Sequence, residues 1–415
     1  MAENKDKKVL NVPNKRELTP NTFDSVEHKE VRLKRNVPNL RFKEFEGEWK
    51  ENKLKNICTF YSGGTPTSSN NKYYGGNIPF IRSGELHKAK TELMITEEGY
   101  NNSSAKMVEK GDLLLAMYGA TSGDIAISRI KGAINQAILC IKTNHNKKFL
   151  EAIWSKHVNR ILKTYLQGGQ GNLSADVVKQ ITFSIPTIQE QEKLAQLFFI
   201  LDERIATQNK IIDKLESLIK GISRKLLDEE EGHYVSLENI LKERIEKTTI
   251  NNQYEVLSST VNGIFIQREY FSREIASSNN VGYKVLRLNE IVLSPQNLWM
   301  GNINYNKSFK IGIVSPSYKI FSIADCYDKD FIAALLKTNR ALYNYALASE
   351  QGASIVRRNL NIEAFKQIVF KLPSYKKQCQ IGKTISLLEK SLENNMKLKN
   401  SYELQKTYLL RQMFI

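Results

Sequence analysis

The chain repeats itself across a long interval. Lys179-Gln180-Ile181-Thr182-Phe183-Ser184-Ile185-Pro186 returns 187 residues later as Lys366-Gln367-Ile368-Val369-Phe370-Lys371-Leu372-Pro373. At the same offset Leu173 pairs with Leu360, Gln191 with Gln378, Leu201 with Leu388 and Arg224 with Arg411. Solenoid repeats run to a few dozen residues, so this interval marks one large module used twice. A chain built that way contacts something at two places.

Each copy ends in the same kind of segment. From Gln189 to Leu227 there is no proline and one glycine, Gly221. Leu194, Phe198, Leu201, Ile205, Ile212, Leu215, Ile219, Ile222 and Leu226 recur at alternating spacings of four and three, a heptad seam broken only at Gln208. Shifted by the repeat interval, the seam falls on Ile381, Ile385, Leu388, Leu392, Asn395, Lys399, Tyr402, Lys406, Leu409 and Met413. Gln208 maps onto Asn395, so both helices carry an amide in one slot, where a buried amide can fix register or an exposed one do nothing. A globular module lies between the helices, which makes antiparallel pairing the simplest packing. About 40 residues at ~1.5 Å each give a rod of ~60 Å. Modules at its two ends would be related by an approximate two-fold axis and would reach duplex sites about a helical turn or more apart.

The expected class is therefore α+β: two similar α/β domains separated by a long antiparallel helical pair. The divisions are a polar tail over 1–36, a first module over 37–186, a helical spacer over 187–232, a second module over 233–373 and a second spacer over 374–415. In the first module Asp112–Met117, Ile125–Ser128, Ala137–Ile141 and Ile181–Ile185 read as strands, and Phe149–Leu166 as a helix. In the second, Glu255–Ser258, Ile291–Ser294, Ile311–Val314 and Lys319–Ile323 read as strands, and Asp330–Ala348 as one helix.

Charge narrows the partner. The 415 residues carry 61 Lys and Arg against 44 Asp and Glu, a formal net charge of +17. Such an excess speaks about partners more than fold, and nucleic acid is the commonest. No like-charged block of the kind that anchors a chain to an acidic membrane stands out. No apolar run is long enough to span a bilayer, and the polar first 35 residues resemble no secretion signal. Cys58, Cys140, Cys326 and Cys379 lie far apart, as thiols of a reducing cytoplasm do. His28, His87, His145, His157 and His233 form no metal-ligand pair and read as surface or loop residues.

Catalytic signatures are missing. Gly382-Lys383-Thr384 imitates the end of a phosphate-binding loop, but Lys377 stands where the first glycine is needed. Neither an Asn/Asp-Pro-Pro-Tyr methylation motif nor a Pro-Asp nuclease motif occurs. Polar loops are plentiful. Gly64, Thr65, Ser68, Lys72, Tyr73 and Tyr74 lie in one, and Arg82 and Ser83 follow a probable strand. Tyr118 and Thr121 follow another, with Gln170 and Asn172 in a glycine-rich loop beyond it. The second module offers Gln296, Asn297 and Trp299 at a strand end, then Gln351, Ser354, Arg357 and Arg358. Amides suit adenine edges, guanidinium suits guanine, and hydroxyls and lysines suit phosphates. Any one of these residues reads better as ordinary loop polarity. The set, duplicated on a basic chain, points to nucleic acid.

Several of these stretches resemble the DNA-specificity subunit of type I restriction–modification systems. They are Val37-Pro38-Asn39-Leu40-Arg41-Phe42 with Phe45-Glu46-Gly47-Glu48-Trp49, Ser62-Gly63-Gly64-Thr65-Pro66, and Gly75-Gly76-Asn77-Ile78-Pro79-Phe80-Ile81. Pro186 with Glu190-Gln191, and the closing Leu410-Arg411-Gln412-Met413-Phe414, complete the order. The resemblance implies a non-catalytic cytoplasmic chain whose two recognition domains read the halves of a bipartite target on double-stranded DNA, with the helices as spacer. It implies two methylation subunits carrying S-adenosylmethionine and two restriction subunits carrying ATP and Mg, with no cofactor in this chain. Target adenines would be flipped into the methylation subunits. One departure stands out: the second copy has Lys377 where the first has Glu190. Two other readings are a single-chain methylase or nuclease, and a coiled-coil adaptor that binds RNA.

Overall fold

The computed structural model describes residues 36–165, 173–227, 232–271, 278–351 and 358–415. Its two long helices run from Ile188 to Leu227 and from Tyr375 to Met413. They pack antiparallel. Leu194, Phe198 and Leu201 of the central helix share a core with Met413 and Phe414, while Ile381 and Ile385 of the C-terminal helix share one with Ile222. Asp202 meets Lys406 at 2.6 Å, and the Arg204 guanidinium lies over the Tyr402 ring. Continuing that register places Gln208 opposite Lys399 and Asn395 opposite Ile212. The two amides therefore do not meet. Asn395 donates back to the Ser391 carbonyl of its own helix at 2.7 Å, and the buried Oε1 of Gln208 has no hydrogen-bond partner. Seam positions Ile205, Ile212, Leu215, Leu388 and Leu392 are half-buried, so the helix pair is wetter at mid-length than at its ends.

Both modules are built on one frame. The first and last strands of each pair antiparallel: Lys50–Lys53 with Thr182–Ile185, and His233–Ser236 with Val369–Leu372. Each closing strand passes through a proline into a long helix. The next strand of each copy, Cys58–Ser62 or Leu241–Glu243, opens a four-stranded sheet. In the first module the order is Cys58–Ser62, Ile138–Thr143, Leu113–Ala116, Ile125–Ile127. In the second it is Leu241–Glu243, Lys319–Ile323, Glu290–Leu293, Ile303–Tyr305. Every pairing in these two sheets is antiparallel and the connectivity is the same. The additions differ. The first module carries a second four-stranded sheet around Tyr74–Ile81, whereas among its described residues the second carries three separate strand pairs, Leu257–Thr260 with Gly263–Ile266, Lys284–Arg287 with Ile311–Val314, and Ser349–Gln351 with Arg358–Leu360.

The helix after each sheet also differs. Lys147–Tyr165 is one helix of 19 residues. Its counterpart, expected as one helix over Asp330–Ala348, is two: Lys329–Leu335 and Asn339–Leu347. The break has a local cause, because the Thr338 hydroxyl accepts the Ala341 N–H and starts a new helix there.

One glutamine does the same work in both copies. Gln191 Nε2 donates to the Pro186 carbonyl at 3.0 Å and its Oε1 accepts the Asn146 N–H at 3.2 Å. Gln378 Nε2 donates to the Pro373 carbonyl at 2.9 Å and its Oε1 accepts the Asp328 N–H at 3.1 Å. Both are buried, and each ties the start of a long helix to the loop that opens a domain helix. Gly382 belongs to this joint rather than to any phosphate loop: a Cβ there would lie 2.2 Å from Asp328 Oδ1. Glu190 serves the first copy alone. It accepts hydrogen bonds from Arg41 at 2.7 and 2.8 Å and from the Trp49 indole at 3.3 Å, pinning the segment that enters the first module. By strand register the position of Trp49 is taken by Gly232 in the second copy, so the change to Lys377 accompanies the loss of that contact.

Histidine 157 corrects the surface reading. It is buried on the helix Lys147–Tyr165, stacked on Phe183 and 2.7 Å from the Ile415 oxygen. Burial, with Arg160 and Lys156 nearby, pushes its pKa down to about 4, so it is a neutral core residue.

Candidate nucleic-acid interface

In the first module the polar loop is held by close backbone packing. Cβ atoms added at Gly63 and Gly64 would lie 1.8 Å from the Ile134 carbonyl oxygen and 1.9 Å from Ser104 Oγ. Gly64 is buried, and that packing accounts for it without any ligand. Gly63→Ala is expected to destabilise the module by several kcal/mol, because the obstructing atom is backbone and cannot rotate away. Thermal unfolding checks this, and an unchanged midpoint would contradict the close packing.

The loop so fixed opens a cleft of about 440 Å³ lined by Thr65, Ser68, Asn71, Tyr74, Arg82 and Asn135 together with Phe80 and Leu93. Thr65 donates to Gln136 Oε1 at 2.6 Å, and the Tyr74 hydroxyl donates to the Pro66 carbonyl at 2.7 Å. Lys72 is exposed on the short turn Asn71–Tyr73, whose Asn70 side chain accepts the Lys72 N–H; Tyr73 is half-buried there. Ser83 is half-buried at the start of the turn Ser83–Glu85. Arg82 reaches the cleft already paired, 3.0 Å from Glu85 and 2.6 Å from Glu92. A guanidinium with both partners in place would have to break them to read a base.

Tyr118 and Thr121 do not join this cleft. Tyr118 packs against the first core. Thr121 lines a separate hollow of about 900 Å³ between the module and the helix pair. There Lys148 and Lys406 each lie 2.6 Å from Asp202. Burial raises the Asp202 pKa, but these two lysines outweigh it and hold the carboxyl below its ordinary range. Arg129 and Lys210 line the same hollow. Sequence inspection missed this group because its members come from four distant segments. It also missed Asn135 and Gln136, although an Asn-Gln pair just before a strand was a usable signal.

In the second module the structure brings Gln296, Trp299 and Arg358 together. Asn297 precedes the turn Leu298–Met300, which carries Trp299. The Arg358 N–H donates to the Gln296 carbonyl at 3.2 Å, and its guanidinium lies 4.4 Å from the centre of the Trp299 ring. In the first module the Leu173 N–H donates to the Met117 carbonyl at 3.0 Å, the corresponding link between the strand-end loop and the later segment. Gln170, Asn172, Ser354 and Arg357 lie outside the described residues; Gln351 ends a strand that pairs with Arg358–Leu360. Among the described residues no acidic, His or Cys group has metal-holding geometry, and no helix is long and apolar enough to cross a membrane.

Residues 46–217 match the family model of the type I restriction modification DNA specificity domain. The MjaIX type I restriction enzyme specificity subunit of Methanocaldococcus jannaschii is 25% identical over 337 residues, 77% of this chain and 70% of that protein. The MjaVIII specificity subunit of the same organism is 21% identical over 197 residues, covering 45% of this chain and 44% of that protein. The crystal structure of the type I restriction–modification S subunit from M. genitalium superposes with a TM-score of 0.64 at 15% identity, over 91% of this chain and 99% of that one, which establishes a shared fold.

Proposed function

From its similarity to type I DNA-specificity subunits, we propose that this chain reads a bipartite sequence on duplex DNA and directs adenine methylation and restriction by partner subunits, contributing no catalysis of its own. One observation carries this reading. The same four-stranded frame and glutamine joint appear at both ends of one antiparallel helix pair, while the surface loops have diverged. Identical frames with different loops suit a reader of two different half-sites at a set separation. The excess of positive charge supplies the sequence-independent attraction to phosphates, and exposed Lys72 beside the first cleft is one contributor. Two methylation subunits and two restriction subunits would bring S-adenosylmethionine, ATP and Mg, and the near-symmetry of the helix pair offers each kind two similar seats.

The test is to express the chain with its methylation partner and map modified adenines across a genome. One two-part motif with a fixed gap is expected. A continuous motif, or none, overturns the reading. Exchanging residues 50–185 for a relative's module is expected to change one half of the motif, and change in both halves would contradict modular recognition. Competition by duplex DNA but not by single-stranded RNA separates this reading from an RNA adaptor.

A further inference from the structure

We propose that Arg358, whose guanidinium lies over the Trp299 ring, reads a guanine in the half-site recognised by the second module. This rests on the DNA-reading function above and names the residue that gives one half its identity.

The two candidate arginines among the described residues, Arg82 and Arg358, are held in opposite ways. Arg82 is spent on Glu85 and Glu92. Arg358 is fixed by its backbone bond to Gln296 and by the indole face, and its buried Nε has no hydrogen-bond partner. Cation–π stacking orients a guanidinium without consuming its hydrogen-bond donors. The terminal nitrogens Nη1 and Nη2 then form a fork that matches O6 and N7 of guanine in the major groove. Stacking also restricts side-chain rotation before binding, so less order is lost on contact. Gln296, whose backbone carbonyl accepts the Arg358 N–H, is exposed in the same loop as Trp299.

The experiment uses the full chain with its methylation partner. The wild-type motif is mapped first, which tests the DNA-reading function by itself: absence of a two-part motif overturns that function and this inference with it. Arg358→Ala, Arg358→Gln and Arg358→Lys are then mapped and titrated against duplexes carrying each base in turn at every guanine–cytosine pair of the motif. All three are expected to relax one guanine in one half, leaving the other half and the gap unchanged. Affinity for the wild-type duplex should fall about tenfold to a hundredfold. Lysine should not rescue, because it keeps the charge and loses the fork. Trp299→Phe should retain the target and Trp299→Ala weaken the same guanine preference. If the wild-type motif is two-part but all folded Arg358 variants methylate it unchanged, the inference fails while the DNA-reading function stands. Equal weakening across every base substitution, with lysine restoring affinity, would make Arg358 a phosphate contact and also overturn it.

Discussion

Replacing Phe414 with alanine is expected to destabilise the chain by about 3–5 kcal/mol, the usual cost of removing a buried aromatic ring. Phe414 directly follows the C-terminal helix Tyr375–Met413. Here it is buried, with ring centres 5.4 Å from Phe198, 5.5 Å from Phe149 and 6.2 Å from Trp49. Those neighbours come from the central helix, the helix of the first module and the entering segment. The Leu40 N–H adds a 2.9 Å bond to the Gln412 carbonyl. The C-terminal helix thus closes onto the first module, completing a ring of contacts from one module through both helices and back. Denaturant unfolding should show a lower midpoint for Phe414→Ala, with Phe414→Leu in between. An unchanged midpoint would mean that this closure contributes nothing to stability.

The second large effect concerns the gap between half-sites. Inserting one heptad after Lys210 and another after Lys397 is expected to lengthen the gap in the methylated motif by about three base pairs, with both half-sites kept. Seven residues add ~10 Å of helix, and duplex DNA rises ~3.4 Å per base pair. These points lie opposite one another in the observed register, so Asp202–Lys406 and the Ile222–Ile385 contact survive on either side. A heptad inserted in one helix alone cannot satisfy both ends and should lower stability instead of resetting the gap. Mapping of modified adenines reads the outcome. An unchanged gap in a stable double-insertion variant would contradict the spacer role.

Much of the frame was legible because it is written in local signals. Lys-Gln-Ile before a strand and a proline, followed by apolar residues at spacings of four and three, identifies a strand–helix joint wherever it occurs. Its recurrence after 187 residues marked a duplication without any knowledge of contacts. The expectation of one helix over Asp330–Ala348 failed at a single residue: the cap formed by Thr338 competes locally with helix continuation. The shared amide slot failed for a different reason. Gln208 and Asn395 are equivalent by repeat, but residues equivalent under a two-fold axis face each other only when they lie on that axis.

The candidate DNA contacts were legible only as a set. Thr65, Ser68, Tyr74 and Arg82 converge on one cleft, yet Arg82 is neutralised by Glu85 and Glu92, and Thr121 belongs to another hollow. Nothing in residue type separates Arg82 from Arg358; what touches each guanidinium does.

By itself, the sequence determined that one module is used twice, that each copy leads into a long amphipathic helix, and that the whole is basic. Periodicity, propensity and charge are properties of neighbouring residues and survive without a fold. The tertiary structure decided the register of the helix pair, the common strand order beneath divergent loops, the burial of Phe414, and which arginine is left with donors for a base. Each of these depends on segments dozens to hundreds of residues apart meeting at particular distances, and local pattern carries no information about such meetings.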